Sequence, residues 1–218
     1  MDNRRLAAIG GIGFVVLQIF TNVIPGGSPP TLTDSTTKVV NYFADKHDRL
    51  FIGNAANTLS GIFAVLFFVA LYKLLRQERP ATEAWPLLGL VGTIIGGTFI
   101  TVGQAMSTMA LFEGKAVPGV TVVFNQVSVI IFEMSGVMLA VALLGFGLAQ
   151  LRSAVMASWL GQLALLGALA GTIGSLFAGV KSDSWAYVGF VAYIIFLVWI
   201  LLTSIMLMRS AQPTPAST

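Results

Sequence analysis

Six runs of roughly 20 apolar residues, each nearly free of charge, leave this chain few ways to fold. A hydrocarbon core about 30 Å thick is crossed by about that many helical residues. Lipid offers no partner to an open strand edge, so each run must be a helix. Composition agrees, with 56% hydrophobic and 10% charged residues and a mean hydropathy of +0.87. The expectation is an all-α, polytopic transmembrane helix bundle. Its spans lie at about 6–24, 51–72, 85–108, 129–151, 156–179 and 184–208, in one bundle over 1–209, and 210–218 form a disordered tail.

The first run follows Arg4 and Arg5, as a secretory signal would. It is longer than a usual signal core, and no small-x-small cleavage site precedes Pro25-Gly26-Gly27, so it is expected to stay as a span. The second closes on Lys73, Arg76 and Arg79, the third opens on Trp85-Pro86, and the fourth closes on Arg152. With six spans both termini share a side. That side carries Arg4, Arg5, Lys73, Arg76, Arg79, Arg152 and Arg209, against Lys38, Lys46, Arg49, Lys115 and Lys181 on the other. The positive-inside rule then places both termini in the cytoplasm.

The loop between the first two spans has room for structure. From Ser35 to Lys46, helical spacing puts Thr36, Val39, Val40 and Phe43 on one face and Lys38, Asn41 and Asp45 away from it. This is a short amphipathic helix in the first external loop, which either lies on the membrane surface or lids the bundle. The two roles are compatible.

Polar residues sort by depth. Asn54 and Asn57 sit in the outer half of the second span, and Gly97, Thr101, Gln104 and Thr108 climb outward along the third. Gln18 and Asn22 lie near the outer end of the first span, and Tyr187 and Tyr193 in the outer half of the sixth. Counting back from Arg152 puts Glu133 about 10 Å outward of its span's centre, with Gln126 above it on the same face. A carboxylate at such a depth costs about 2.5–3.5 kcal/mol and is expected to face the bundle interior. The inner half reads as poor in polar groups and rich in glycine: Gly89, Gly92, Gly96, Gly145 and Gly147, with Gly167 and Gly171 as a G-x-x-x-G. Small residues of this kind let helices approach closely.

Much chemistry is excluded. There is no cysteine, and a single histidine, His47, cannot build a metal site or a paired haem ligation. No P-loop, H-E-x-x-H or G-x-S-x-G occurs, and Ser135, beside Glu133, has no histidine-like base in a span. No catalytic motif and no cofactor is therefore expected. The basic residues are scattered over loops and span ends with no basic stripe, so nucleic acid is not an expected partner. The inner half holds few polar groups, and the first three spans show no convincing similarity to the last three, which weighs against a channel or an alternating-access transporter.

Two readings stay open. In the first, an outward-facing polar pocket binds or senses a small amphiphile or lipid head. Glu133 is its charged anchor, Gln126, Gln104, Asn54 and Asn57 are its walls, and Arg49 or Lys46 answers the carboxylate from above. In the second, the chain is a structural or accessory subunit whose G-x-x-x-G and polar positions meet partner membrane helices.

The run Tyr42-Phe43-Ala44-Asp45-Lys46-His47-Asp48-Arg49-Leu50 resembles a motif of uncharacterised six-span integral membrane proteins of bacteria, actinobacterial in type. The closure Leu71-Tyr72-Lys73-Leu74-Leu75-Arg76 and the opening Ser158-Trp159-Leu160-Gly161 are similar to theirs as well. Asn54 and Asn57 depart from the pattern, where such chains are more often apolar. The resemblance implies a domain-of-unknown-function family and a bacterial plasma (inner) membrane, and it supplies no activity.

Overall fold

The structure, a computed structural model, describes residues 2–78, 84–154, 156–177 and 183–210. All seven elements found there are helices: α1 (Asn3–Val23), α2 (Thr36–Asp45), α3 (His47–Glu78), α4 (Ala84–Glu113), α5 (Pro118–Leu151), α6 (Ser158–Leu176) and α7 (Asp183–Ser210). Six of them, all but α2, are long and apolar enough to cross a membrane. Arg79, Lys181 and, apart from Ser210, the expected tail lie outside the described residues.

Local signals set the helix starts. Asp2 caps α1 by accepting from the Arg4 amide, Ser35 caps α2 by accepting from the Lys38 amide, and Pro118 opens α5 where no helical donor is needed. Helices α3, α4 and α5 have 32, 30 and 34 residues, so they outrun a hydrocarbon core of about 30 Å. Their overhang is used at the α2 end. There Val39 and Phe43 of α2 form a cluster with Leu50, Ala110 and Leu111, flanked by Tyr42, Val122 and Phe124. Val39, Val40 and Phe43 are buried while Thr36, Lys38, Asn41 and Asp45 are exposed. The apolar face of α2 is therefore turned onto α4 and α5, and the helix lids that end of the bundle. Thr36 departs from the expected face because it sits in the first, exposed turn.

The six spans follow one another around a ring in chain order, α1 beside α3, then α4, α5, α6 and α7, which returns to α1. Glycine lets neighbours approach. A Cβ on Gly145 of α5 would overlap the backbone nitrogen of Gly89 in α4, and one on Gly92 would come within 2.6 Å of the Ala142 nitrogen. The half of the ring near the chain termini is filled by aromatic rings. Phe68 stacks on Phe146 at 5.6 Å, on Phe196 at 6.2 Å and on Trp199 at 6.5 Å, and Phe67 meets Trp199 edge-on at 5.9 Å.

That half is less apolar than its glycine-rich sequence implies. Gln150 is fully buried; its Oε1 accepts from Trp199 Nε1 at 2.9 Å, and its Nε2 donates to the Thr203 hydroxyl and the Met156 sulfur. Thr203 and Ser204 are equally buried, with the Ser204 hydroxyl donating to the Ile200 carbonyl. Span ends read as interface positions in sequence, whereas ring closure carries these residues inside.

Candidate functional site

The candidate site lies in the half of the ring nearer α2, where polar side chains of four helices form a single directed chain. Asn22 Nδ2 donates to the Tyr193 oxygen at 3.2 Å, and the Tyr193 hydroxyl donates to Gln18 Oε1 at 2.7 Å. Gln18 Nε2 donates to Asn57 Oδ1 at 2.8 Å and to the Ser60 hydroxyl at 2.7 Å. Asn57 Nδ2 then donates to Gln104 Oε1 at 2.7 Å. The relay thus runs from Asn22 of α1 to α7, back to α1 at Gln18, and on through α3 to α4, every link pointing the same way, and each bond polarises the next. A side branch joins Asn54 Nδ2 to the Thr108 hydroxyl at 3.0 Å, and that hydroxyl donates to the Gln104 carbonyl.

The relay ends on a donor without an acceptor. Gln104 Nε2 is buried and has no hydrogen-bond partner among the described residues. On the facing helix the same is true of Asn125 Nδ2, in a side chain only 4% exposed. Asn125 belongs to a polar stripe of α5, with Thr121 one turn above and Ser128 one turn below. Thr121 donates to the Gly114 carbonyl and Ser128 to the Gly103 carbonyl, so the stripe is applied to α4 and its end loop. Buried amide donors are nearly always matched, and each one left unmatched costs about 1–3 kcal/mol.

Of the six residues singled out from sequence, the structure brings together Asn54, Asn57 and Gln104. Glu133 and Gln126 lie half-buried on a different flank of α5. Gly136 and Ala140, one and two turns from Glu133, face Ser175 and Gly171 of α6, so Glu133 is on the α6 side and Asn125 on the α4 side. No hydrogen bond joins Gln126 to the relay among the described residues. Arg49 is exposed near the start of α3, beside the Gly26 loop. Lys46 is engaged locally: its Nζ donates to the Gly26 carbonyl and lies 4.7 Å over the Tyr42 ring. The Ser135 hydroxyl donates to the Phe132 carbonyl of its own helix at 2.6 Å.

Sequence reasoning missed Asn125, Thr121 and Ser128. Their signal was present as the i, i+4, i+7 spacing of one helical face, but Gln126 was read instead because it shares a face with Glu133. The G-x-x-x-G also finds its use within the chain. Gly167 faces Leu143 and Ile195, and Gly171 faces Ala140, so this face is covered by α5 and α7.

No curated protein and no solved structure matches this chain. A family match runs over residues 6–203, from the first span into the last, and spans the relay, the α2 lid and the aromatic half alike. On that match the chain belongs to the family described as Domain of unknown function (DUF4386), and its six apolar helices mark it as a membrane protein.

Proposed function

We propose that this protein binds a small amphiphile or lipid head, by an oxygen acceptor of the ligand, in the polar half of the ring beneath α2. The observation that carries the reading is the pair of buried amide donors, Gln104 Nε2 and Asn125 Nδ2, with no acceptor among the described residues. A donor at the end of a polarised relay is a strengthened donor, and it favours a carbonyl, ester or phosphate oxygen. Asn57 holds the Gln104 side chain in place through the relay, and Asn54 ties α3 to Thr108, one turn on along α4. Glu133, Gln126 and Arg49 line the approach from the α5–α6 flank and from above. The excess of Lys and Arg at the end carrying the termini supports an orientation with both termini in the cytoplasm and α2 outside, and the resemblance to six-span bacterial proteins supports a bacterial plasma membrane as the site of action. The alternative, an accessory subunit that meets partner helices through its G-x-x-x-G, is weakened because that face is already occupied within the chain.

Asn125→Leu tests the reading. A leucine removes an unmatched donor, so in a protein with no ligand the change is neutral or stabilising by about 1 kcal/mol. In a ligand-binding protein the wild type retains a small molecule or lipid in native mass spectrometry, and Asn125→Leu loses both that mass and the stability it confers. Equal or greater stability of the variant, with no retained mass in either protein, sinks the proposal.

A further inference from the structure

At the opposite end of the molecule, the basic residues are gathered on one side of the ring. Arg4 Nη1 donates to the Ser210 carbonyl at 3.2 Å, which fixes the start of α1 beside the end of α7 and its Arg209. On the other flank, Gly10 of α1 faces the backbone nitrogen of Phe67 in α3, close enough that a Cβ would lie 2.6 Å away. Following the antiparallel pair from there toward the termini, from 10 to 4 and from 67 to 73, brings Arg4 level with Lys73. Arg5 and Arg76 lie within a turn of that level. Three adjacent helices therefore present Arg4, Arg5, Lys73, Arg76 and Arg209 at one height, and all but Arg4 are exposed.

The remaining half of this end is different. Among the described residues, the adjoining ends of α4, α5 and α6 and their connection carry one basic residue, Arg152, with its guanidinium 5.9 Å over the Trp85 ring. Among the described residues this end carries two acidic groups, Asp2 and Glu78. Asp2 accepts from the Arg4 amide as a helix cap, and Glu78 accepts from the Ser153 hydroxyl at 2.5 Å, toward the α5–α6 connection. Arg76 lies back along Tyr72, its Nη1 3.4 Å from the phenol oxygen, as an interfacial arginine does when its stem stays with the apolar span.

We infer that the ends of α3, α1 and α7 form one binding surface for the headgroups of anionic phospholipids. The arc stands where six apolar spans end, which is the height of lipid headgroups. Its charges are spread over three helix ends with their stems along the bundle, so a phosphodiester anchored in the bilayer meets several of them together. A soluble anion has no such anchoring.

The full chain in phosphatidylcholine nanodiscs, with and without phosphatidylglycerol, tests this by native mass spectrometry of the lipid each released protein retains. The wild type is expected to retain phosphatidylglycerol preferentially. Each neutralised charge lowers that preference about fivefold, and the triple variant Arg5→Gln, Lys73→Gln, Arg209→Gln lowers it on the order of 100-fold. The single variant Arg5→Gln, at an exposed position, gives the fivefold step even where the triple variant folds poorly. Lys38→Gln with Lys115→Gln, at the α2 end, leaves the preference intact. The inference fails if the wild type shows no preference, or if the triple variant keeps it. Displacement of phosphatidylglycerol by inorganic phosphate overturns it too, because the arc is then a general anion site.

Discussion

Asn57 Nδ2 donates to Gln104 Oε1 at 2.7 Å, and this one bond carries the polar relay from α3 to α4. Asn57, like Gln18, uses both ends of its amide on other helices, accepting from Gln18 and donating to Gln104. Asn57→Leu should therefore cost about 1–3 kcal/mol, since it strands a buried acceptor on Gln104. Asn54→Leu should cost less, about 0.5–1.5 kcal/mol, because Thr108 keeps its bond to the Gln104 carbonyl. Thermal unfolding of both variants in nanodiscs checks the order, and equal costs would mean that the relay is not a connected unit.

Gly145 and Gly97 should respond oppositely to the same methyl group. A Cβ at Gly145 overlaps the backbone of Gly89, so Gly145→Ala must push α4 and α5 apart and lose about 1–3 kcal/mol or more. Nothing lies within 4 Å of a Cβ at Gly97, and alanine there gains about 1 kcal/mol of helix propensity. The comparison is read from the two melting temperatures against wild type.

The α2 lid should loosen in acid, and Asp34 sets where. The Lys38 ammonium, 2.7 Å away, and the Thr31 amide hold the Asp34 carboxyl below its ordinary value of 3.8. A depressed carboxyl contributes stability that is fully present above the unfolded value and is lost as pH falls through the folded one. The protection of the amides of residues 35–40, taken relative to their intrinsic exchange rates at each pH, is thus expected to stay flat down to about pH 3.8 and to fall below it. Asp34→Asn should raise exchange at neutral pH and remove the acid step.

How far the sequence was legible follows from what each signal measures. Hydropathy measures length in lipid, so the number of spans, and the buried Val39, Val40 and Phe43 of α2, could be read from the sequence. Ring order is a property of which helices touch, and no periodicity in one chain reports it. That is why Asn54, Asn57 and Gln104 were recognised as polar yet not as links of one relay with Gln18 and Tyr193. It is also why Gln126 stood out over its neighbour Asn125. Both amides sit at similar depth, and only the position of α4 against the Thr121–Ser128 stripe tells which of the two is buried.

Gln150 gives the sharpest case, because depth alone suggests an interfacial residue and the structure places it at full burial beside Trp199. Its carbonyl is the acceptor for the Trp199 indole, and its amide donates to Thr203. Gln150→Leu removes both partners at once and leaves the indole N–H unmatched in an aromatic core, so a loss of about 2–4 kcal/mol is expected. Gln150→Glu keeps the acceptor for the indole but adds a charge, so it should be worse. Trp199 itself reports the change. In a variant where Trp85, Trp159 and Trp185 are replaced by phenylalanine, Gln150→Leu should shift the Trp199 emission to shorter wavelength as the indole loses its hydrogen bond. An unshifted emission together with wild-type stability would show that the Gln150–Trp199 bond does not hold α5 to α7.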